Sequence, residues 1–483
     1  MDGLSHVNRA RRHERRWTQL CARYLPEAPT DSVWRYSRRR KQHEPEQGWK
    51  FHISATILNA VVTLKRIAPI LIQHDIQFKA PASLRELAKI NSGLLYGYSQ
   101  VGKTITVYPR SRAEALSVAR CLHELTRDLS SPEVPFDQKY RPRTSVYYRY
   151  GAFTKLEIEH PDRIRVPAVR DPEGNLVLDS RESVAAKPEW VANLLPASRV
   201  HRNKNAKVES LLSTRFRVFR ALSQRGKGGV YQAIDLGADP PRLCLLKEGR
   251  KNGETRWDGR DGAWLARNEE RVLSLLRARG VEVPCIYSSF EVDGNYYLVT
   301  EFIDGESLQQ LLCKRRRRLS LSRALEYGIQ LSKFFTALHG AGWIWRDCKP
   351  MNIIVTREGV LRPLDFEGAC LATQPDPLPW GTQGFRPPES LDGRHQSGLP
   401  EDRYALGALL YLLLTGRIPE TIGHTPLQKL RRNVPVKIRE LVSGLLSSDP
   451  ARRSSTKIVT SELGEALTAL RDSHTAVTRK WVV

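Results

Sequence analysis

Apolar and polar positions change period several times along the chain. Residues 1–48 hold only scattered apolar anchors (Trp17, Leu20, Tyr24, Leu25, Trp34) among basic and polar residues. That pattern predicts a helical arm followed by a charged connector at Arg38-Arg39-Arg40-Lys41. From Trp49 the pattern becomes globular. Residues 49–53 alternate with period two and predict a short strand. Residues 55–72 place Leu58, Val62, Leu64, Ile67, Ile70 and Leu71 at helical spacing. Residues 104–108 alternate again, 113–129 predict a helix opened near Ser111, and 146–150 predict a further strand. Strands interleaved with helices predict an α+β domain over residues 49–160.

Residues 161–212 are rich in Pro, charged residues and Asn, with a turn-like Asp171-Pro172-Glu173-Gly174-Asn175. They predict a connector carrying a short hairpin. In the last region, residues 213–475, strands come first and long helices dominate after Ser307, which predicts a small sheet lobe and then a helical lobe. The apolar run at residues 404–414 is too short to cross a bilayer and predicts a buried helix. The basic run Lys314–Arg318 predicts a solvated loop. No internal repeat is visible.

Composition narrows the classes. With 483 residues, 40% of them hydrophobic, and ten tryptophans, the chain has ample material for two or three packed domains. The net charge of +25 favours an acidic or polyanionic partner. No zinc-finger or aromatic RNA-binding pattern accompanies it, so no nucleic-acid partner is expected. Seven scattered cysteines without a C-x-x-C pair fit reduced thiols. The Arg-rich N-terminus has no apolar signal core. A cytoplasmic protein without a membrane partner is expected.

Chemistry is densest in residues 343–368, WIWRDCKPMNIIVTREGVLRPLDFEG. Asp347 lies five residues before Asn352, with Lys349 and Pro350 between, and Asp365 follows in Leu-Asp-Phe-Glu-Gly. Phosphoryl transfer needs one carboxylate to take the proton of the attacking hydroxyl. It also needs an amide and a second carboxylate to hold Mg²⁺ against nucleotide phosphates. From about residue 215 to 470 the chain resembles the protein kinases. The resemblance implies that Asp347 is the catalytic base, that Asn352 and Asp365 bind Mg²⁺, and that Lys349 neutralises the transferred phosphoryl group. It also implies that Lys247 meets the nucleotide phosphates and Glu269 pairs with it, Glu270 being the alternative register. Glu389 and Arg453 correspond to a structural ion pair. Three departures stand out. In the phosphate loop, residues 223–231, only Gly228 matches the three-glycine pattern when Val230 is aligned. Trp345 replaces the usual His and is expected to offer packing in place of a hydrogen bond. Glu367 replaces the Gly of D-F-G and is expected to stiffen that turn.

The first half places cations near predicted strand ends: Lys50 and His52 on one face, Lys79, Lys103 and Arg149. Each taken alone could be a solvated surface charge. The order Lys-x-His-x-Ser, Phe-Lys, Gly-Lys and Tyr147-Tyr-Arg-Tyr-Gly-Ala-Phe is similar to the N-terminal lyase domain of class III and class IV lanthipeptide synthetases, in which a kinase follows directly. The resemblance implies a two-step dehydration. The kinase phosphorylates Ser or Thr of a precursor peptide with ATP or GTP, and the lyase expels phosphate to leave dehydroalanine or dehydrobutyrine. It assigns Lys79 as base and His52 as acid, with Lys50, Lys103 and Arg149 gripping phosphate; Arg143 and Tyr108 are weaker candidates. Because the kinase-like pattern runs to about residue 470 and no Cys/His cluster remains, the C-terminal cyclase domain of those synthetases is expected to be absent, ring formation falling to a separate cyclase if it occurs. The competing readings are a signalling kinase with a non-catalytic basic docking domain and a phosphopeptide-binding scaffold.

Overall fold

Period-two alternation in the first half does produce a sheet. In the computed structural model, strands β1 (Trp34–Tyr36), β2 (Gln47–Ile53), β3 (Gln77–Pro81), β4 (Ile105–Tyr108), β5 (Gln138–Lys139) and β6 (Val146–Ala152) form one sheet in the order β1-β3-β4-β2-β6-β5. The structure describes residues 3–29, 32–160, 162, 164–179, 187–195, 212, 214–314, 318–376, 380–391, 398–420 and 423–479. Much of the expected connector, residues 180–186 and 196–211, and residues 315–317 of the basic run lie outside the described residues.

Phe51, Ile53, Phe78, Val107 and Tyr148 point to the buried face of the sheet. Helices α2 (Ala60–Gln73) and α4 (Arg112–Thr126) bring Leu64, Ile67, Leu71, Ala119 and Leu122 to the same core, and α3 (Leu84–Ser92) adds Leu87. Ser111 caps α4 as expected, accepting the Glu114 N–H at 3.2 Å. The helix expected from residue 55 starts later. Thr56 accepts the Asn59 N–H through both its carbonyl and its hydroxyl, a turn that delays the helix to Ala60. The segment expected as an arm, residues 1–48, does not stand apart from its neighbour. Trp17 and Cys21 of α1 (Gly3–Tyr24) and Leu25, which follows its end, are buried in the same core, and β1 pairs with β3. The hairpin expected at residues 171–175 joins β8 (Arg165–Arg170) to β9 (Leu176–Leu178), with Asp171 Oδ1 accepting the Asn175 N–H at 2.7 Å; β7 (Glu157–Glu159) completes this small sheet.

Strands β10 (Phe216–Arg225), β11 (Gly228–Asp235), β12 (Arg242–Gly249), β13 (Ile286–Val292) and β14 (Asn295–Glu301) form a five-stranded sheet in the order β10-β11-β12-β14-β13. The chain divides into two compact units. One holds residues 6–266 and 289–298, the other residues 1–5, 267–288 and 299–483. In the second unit, helices α5 (Gly262–Ala278, from residue 267), α7 (Leu321–Gly340), α8 (Leu399–Thr415) and α11 (Thr456–Arg479) dominate, with α6 (Leu308–Lys314), α9 (Leu427–Leu430) and α10 (Val436–Leu445) between. The apolar run at residues 404–414 is a buried part of α8, as expected. Among the described residues no helix is long and apolar enough to cross a membrane.

Candidate active sites

In the second unit, three residues of the expected kinase motif are drawn together by short bonds. Lys349 Nζ lies 2.7 Å from Asp347 Oδ2, and Asn352 Nδ2 donates to the Asp347 carbonyl at 3.0 Å and to Oδ2 at 3.1 Å. Thr382, from the Trp380-Gly-Thr-Gln-Gly stretch, closes the group. Its hydroxyl donates to Asp347 Oδ1 at 3.1 Å and accepts from Lys349 at 3.1 Å. The two oxygens of Asp347 are thereby fixed in direction, which a proton acceptor requires. With its amide nitrogen committed to Asp347, Asn352 leaves Oδ1 for a cation. That oxygen and the Asp365 carboxylate are the hard donors the motif could offer to Mg²⁺.

The backbone around this group is strained and well held. Arg346 (φ 70°) and Asp365 (φ 65°) both adopt the left-handed region. Asp402, fully buried on α8, accepts the Trp345 N–H at 2.9 Å, the Arg346 N–H at 2.8 Å and His339 Nε2 at 3.1 Å. Trp345 differs from expectation. It stacks on Phe366 with ring centroids 5.4 Å apart, but its indole N–H also donates to the Asp365 carbonyl at 3.0 Å. The hydrogen bond expected to be lost with the usual His is therefore kept by indole. Glu367, expected to stiffen its turn, is not among the residues with positive φ, so its side chain meets no left-handed strain. Glu269 is the buried member of its pair and accepts the Phe366 N–H at 3.2 Å. Arg453 binds Glu389 in a bidentate way at 2.5 and 2.8 Å, as a structural ion pair should.

The remaining expected nucleotide residues belong to the first unit. Val230 of β11 faces Lys247 of β12 in register. Gly228 has φ 154°, and a Cβ there would lie 1.6 Å from the Glu248 carbonyl oxygen, so only glycine fits.

The first unit also gathers the cations of the N-terminal domain. Lys50 of β2 pairs in register with Arg149 of β6, and one row on, Thr106 of β4 lies between Lys79 of β3 and His52 of β2. All four therefore share one face, with Lys79 and His52 roughly 10 Å apart along the hydrogen-bonding direction. Lys50, His52, Lys103 and Arg149 are 5–8% exposed. Two carboxylates that sequence reasoning missed accompany them. Asp137 Oδ2 lies 2.5 Å from His52 Nδ1 and its Oδ1 3.3 Å from Lys103 Nζ. Asp179 binds Arg149 through both oxygens, at 2.6 and 3.3 Å. The bidentate grip expected of Arg149 on phosphate is thus made with a carboxylate in this structure. Lys50 Nζ donates to the Ala152 carbonyl at 2.9 Å, and the Lys79 ammonium lies over the Trp34 ring, 4.3 Å from its centroid.

Burial pushes His52 down to about 3, helped by the Lys103 and Lys50 charges and opposed by Asp137. Burial alone would raise Asp137, but Lys103, His52 and Arg149 outweigh it and hold the carboxyl well below its usual range. The site therefore rests with an ionised Asp137 accepting a hydrogen bond from Nδ1–H of a neutral imidazole, which leaves the lone pair on Nε2. Of the weaker candidates, Tyr108 is buried with its hydroxyl pushed up by that burial, while Arg143 is exposed with φ 51°. Among the described residues no group of three His, Cys, Asp or Glu side chains forms a metal cluster.

Comparison with known proteins matches residues 22–207 to the family described as RamC, N-terminal domain, and residues 226–463 to the protein kinase domain. The chain thus carries a RamC-type N-terminal domain followed by a protein kinase domain. It is similar to a probable SapB synthase of Streptomyces coelicolor, with 30% identity over 386 residues, 77% of this chain and 40% of that protein. The C-terminal half is similar to the serine/threonine-protein kinase PknA of Mycobacterium tuberculosis, 30% identical over 264 residues, which is 50% of this chain and 58% of the relative. A Synechocystis serine/threonine-protein kinase F is 29% identical over 229 residues, 44% of this chain and 46% of that kinase. The chain thus spans between 40% and 58% of the length of these relatives.

Proposed function

We propose that this protein dehydrates Ser and Thr residues of a ribosomally made precursor peptide by phosphorylating them and then eliminating phosphate. The observation that carries the reading is the buried cluster of Lys50, His52, Lys103 and Arg149, with His52 oriented by Asp137, in a chain that also has the Asp347–Lys349–Asn352 group. In the first step Asp347 takes the hydroxyl proton and Lys349 offsets charge on the phosphoryl group as it moves. Bound Mg²⁺, held by Asn352 and Asp365, would neutralise the nucleotide phosphates.

In the second step Lys79, as the neutral amine left once its ammonium proton has gone to solvent, removes the α-proton, the Cβ–O bond breaks, and the departing phosphate takes a proton from His52. Lys50, Lys103 and Arg149 hold that phosphate. Neutral at rest, His52 gains its proton when the phosphate's negative charge enters the cation cluster and raises its basicity. Asp179 must give up Arg149 for the phosphate to reach it. The match to the SapB synthase supports this reading, as a relative spanning both domains.

A second reading, a Ser/Thr kinase whose basic domain only docks phosphorylated partners, draws support from the kinase relatives and from the Arg149–Asp179 pair. Mass spectrometry of a Ser-containing peptide incubated with the protein, ATP and Mg²⁺ decides between them. Loss of one water per modified residue is expected; phosphate gained and never lost would favour the second reading.

A further inference from the structure

The turn joining β10 to β11 is the tip of the glycine-rich loop, and it is built against the N-terminal domain. The Gly226 N–H donates to the Ser92 carbonyl at 2.9 Å. A Cβ at Gly226 would lie 1.7 Å from the Asn91 carbonyl oxygen, so this approach requires glycine. The chain after β12 wraps the same turn. The Arg250 N–H donates to the Lys227 carbonyl at 2.8 Å, and its guanidinium donates to the Arg225 carbonyl at 2.9 Å and to Glu248 at 2.8 Å. That guanidinium lies over the ring of Tyr98, 4.8 Å from the centroid. Asn252 then donates to the Ser131 carbonyl at 3.2 Å, and Trp257 packs against the N-terminal core, 5.5 Å from the His13 ring.

On the other side these contacts lead into the cation cluster. Asn91 Oδ1 accepts the Gly102 N–H at 3.2 Å, beside Lys103. Tyr98 meets Phe136 edge-on at 5.9 Å, and the next residue is Asp137, the partner of His52.

We propose that the N-terminal domain completes the nucleotide loop of the kinase domain, with Asn91, Ser92 and Tyr98 acting as positioning residues for the turn at residues 225–228. The inference rests on the kinase part of the proposed function. Ordering a flexible glycine-containing tip costs backbone entropy, a cost that otherwise falls on nucleotide binding. Here folding has already ordered the tip. Removing the anchor therefore weakens nucleotide binding and raises the KM for ATP, while kcat changes little because Asp347 and Lys349 are untouched.

The test uses the full chain, a fluorescent ATP analogue for affinity, and steady-state phosphorylation of a Ser-containing peptide. Tyr98→Ala is expected to weaken nucleotide binding about fivefold, the worth of one partly exposed cation–π contact, and Arg250→Ala, which also loses its bonds to Arg225 and Glu248, by at least as much. The double variant should be little worse than Arg250→Ala alone, because the Tyr98 contact is already gone once that guanidinium is removed. Tyr98→Phe keeps the ring and should restore affinity, which a general folding defect would not predict. Unchanged affinity in both single variants, or fully additive losses, would overturn the inference while leaving the kinase reading intact. A wild-type protein that binds no nucleotide would overturn both.

Discussion

His52 sits where burial and neighbouring cations keep it neutral while Asp137 fixes which nitrogen holds the proton. His52→Ala should let phosphorylated peptide accumulate and slow elimination from a synthetic phosphopeptide by about 10²–10⁴-fold, followed by mass spectrometry. Lys79→Arg should be nearly as damaging, since guanidinium cannot accept the α-proton. The same histidine carries a pH signature in stability. Its pKa is lowered from 6.5 to about 3 on folding, so between those values the unfolded chain binds a proton that the folded one refuses. Stability is then full above pH 6.5 and falls as the solution is acidified through that window. His52→Gln, neutral throughout, should flatten the decline of the urea midpoint between pH 7 and 4.5. Asp179 gives a third outcome. Asp179→Asn removes a charged competitor for Arg149 and should tighten inorganic phosphate binding severalfold by calorimetry; weaker binding would mean that Asp179 orients the arginine.

At the scale of elements, legibility followed the range of the contacts. The period of two put Lys50 and His52 on one face because a strand alternates whatever surrounds it, and β2 bears that out. The Asp347–Asn352 group was legible because its spacing is local. Asp137 and Asp179 were not, since each reaches the cluster from a separate segment through tertiary packing: one beside Phe136 (φ 65°), the other after β9. Trp345 was misread for a related reason. Sequence shows a ring without imidazole, whereas the fold aims its indole N–H at the Asp365 carbonyl. The holding role of α8 gives a prediction of its own. Asp402→Ala leaves two buried backbone N–H groups without their acceptor, each worth about 1–3 kcal/mol. A fall of several degrees in Tm is expected in thermal unfolding, with phosphorylation lost. An unchanged Tm would show that the Arg346 turn holds itself.

On the scale of the whole molecule, the proposed function divides two chemistries between two separate sets of side chains. Under that proposal phosphoryl transfer would belong to Asp347, Lys349, Asn352 and Asp365, and elimination to Lys79 and His52 with Lys50, Lys103 and Arg149. The N-terminal helical arm contributes Trp17, with Leu25 just past its end, to the core of the N-terminal domain, a tertiary role invisible in a segment with few apolar residues. The most direct measurement follows from this separation: mass spectrometry of a synthetic phosphoserine peptide incubated, without nucleotide, with the Asp347→Asn variant. The account predicts loss of the elements of phosphoric acid and a dehydroalanine product at the wild-type rate, although this variant leaves unphosphorylated peptide unchanged when ATP is supplied. A phosphopeptide that stays intact with both the variant and the wild-type protein would contradict the elimination chemistry assigned to the N-terminal domain.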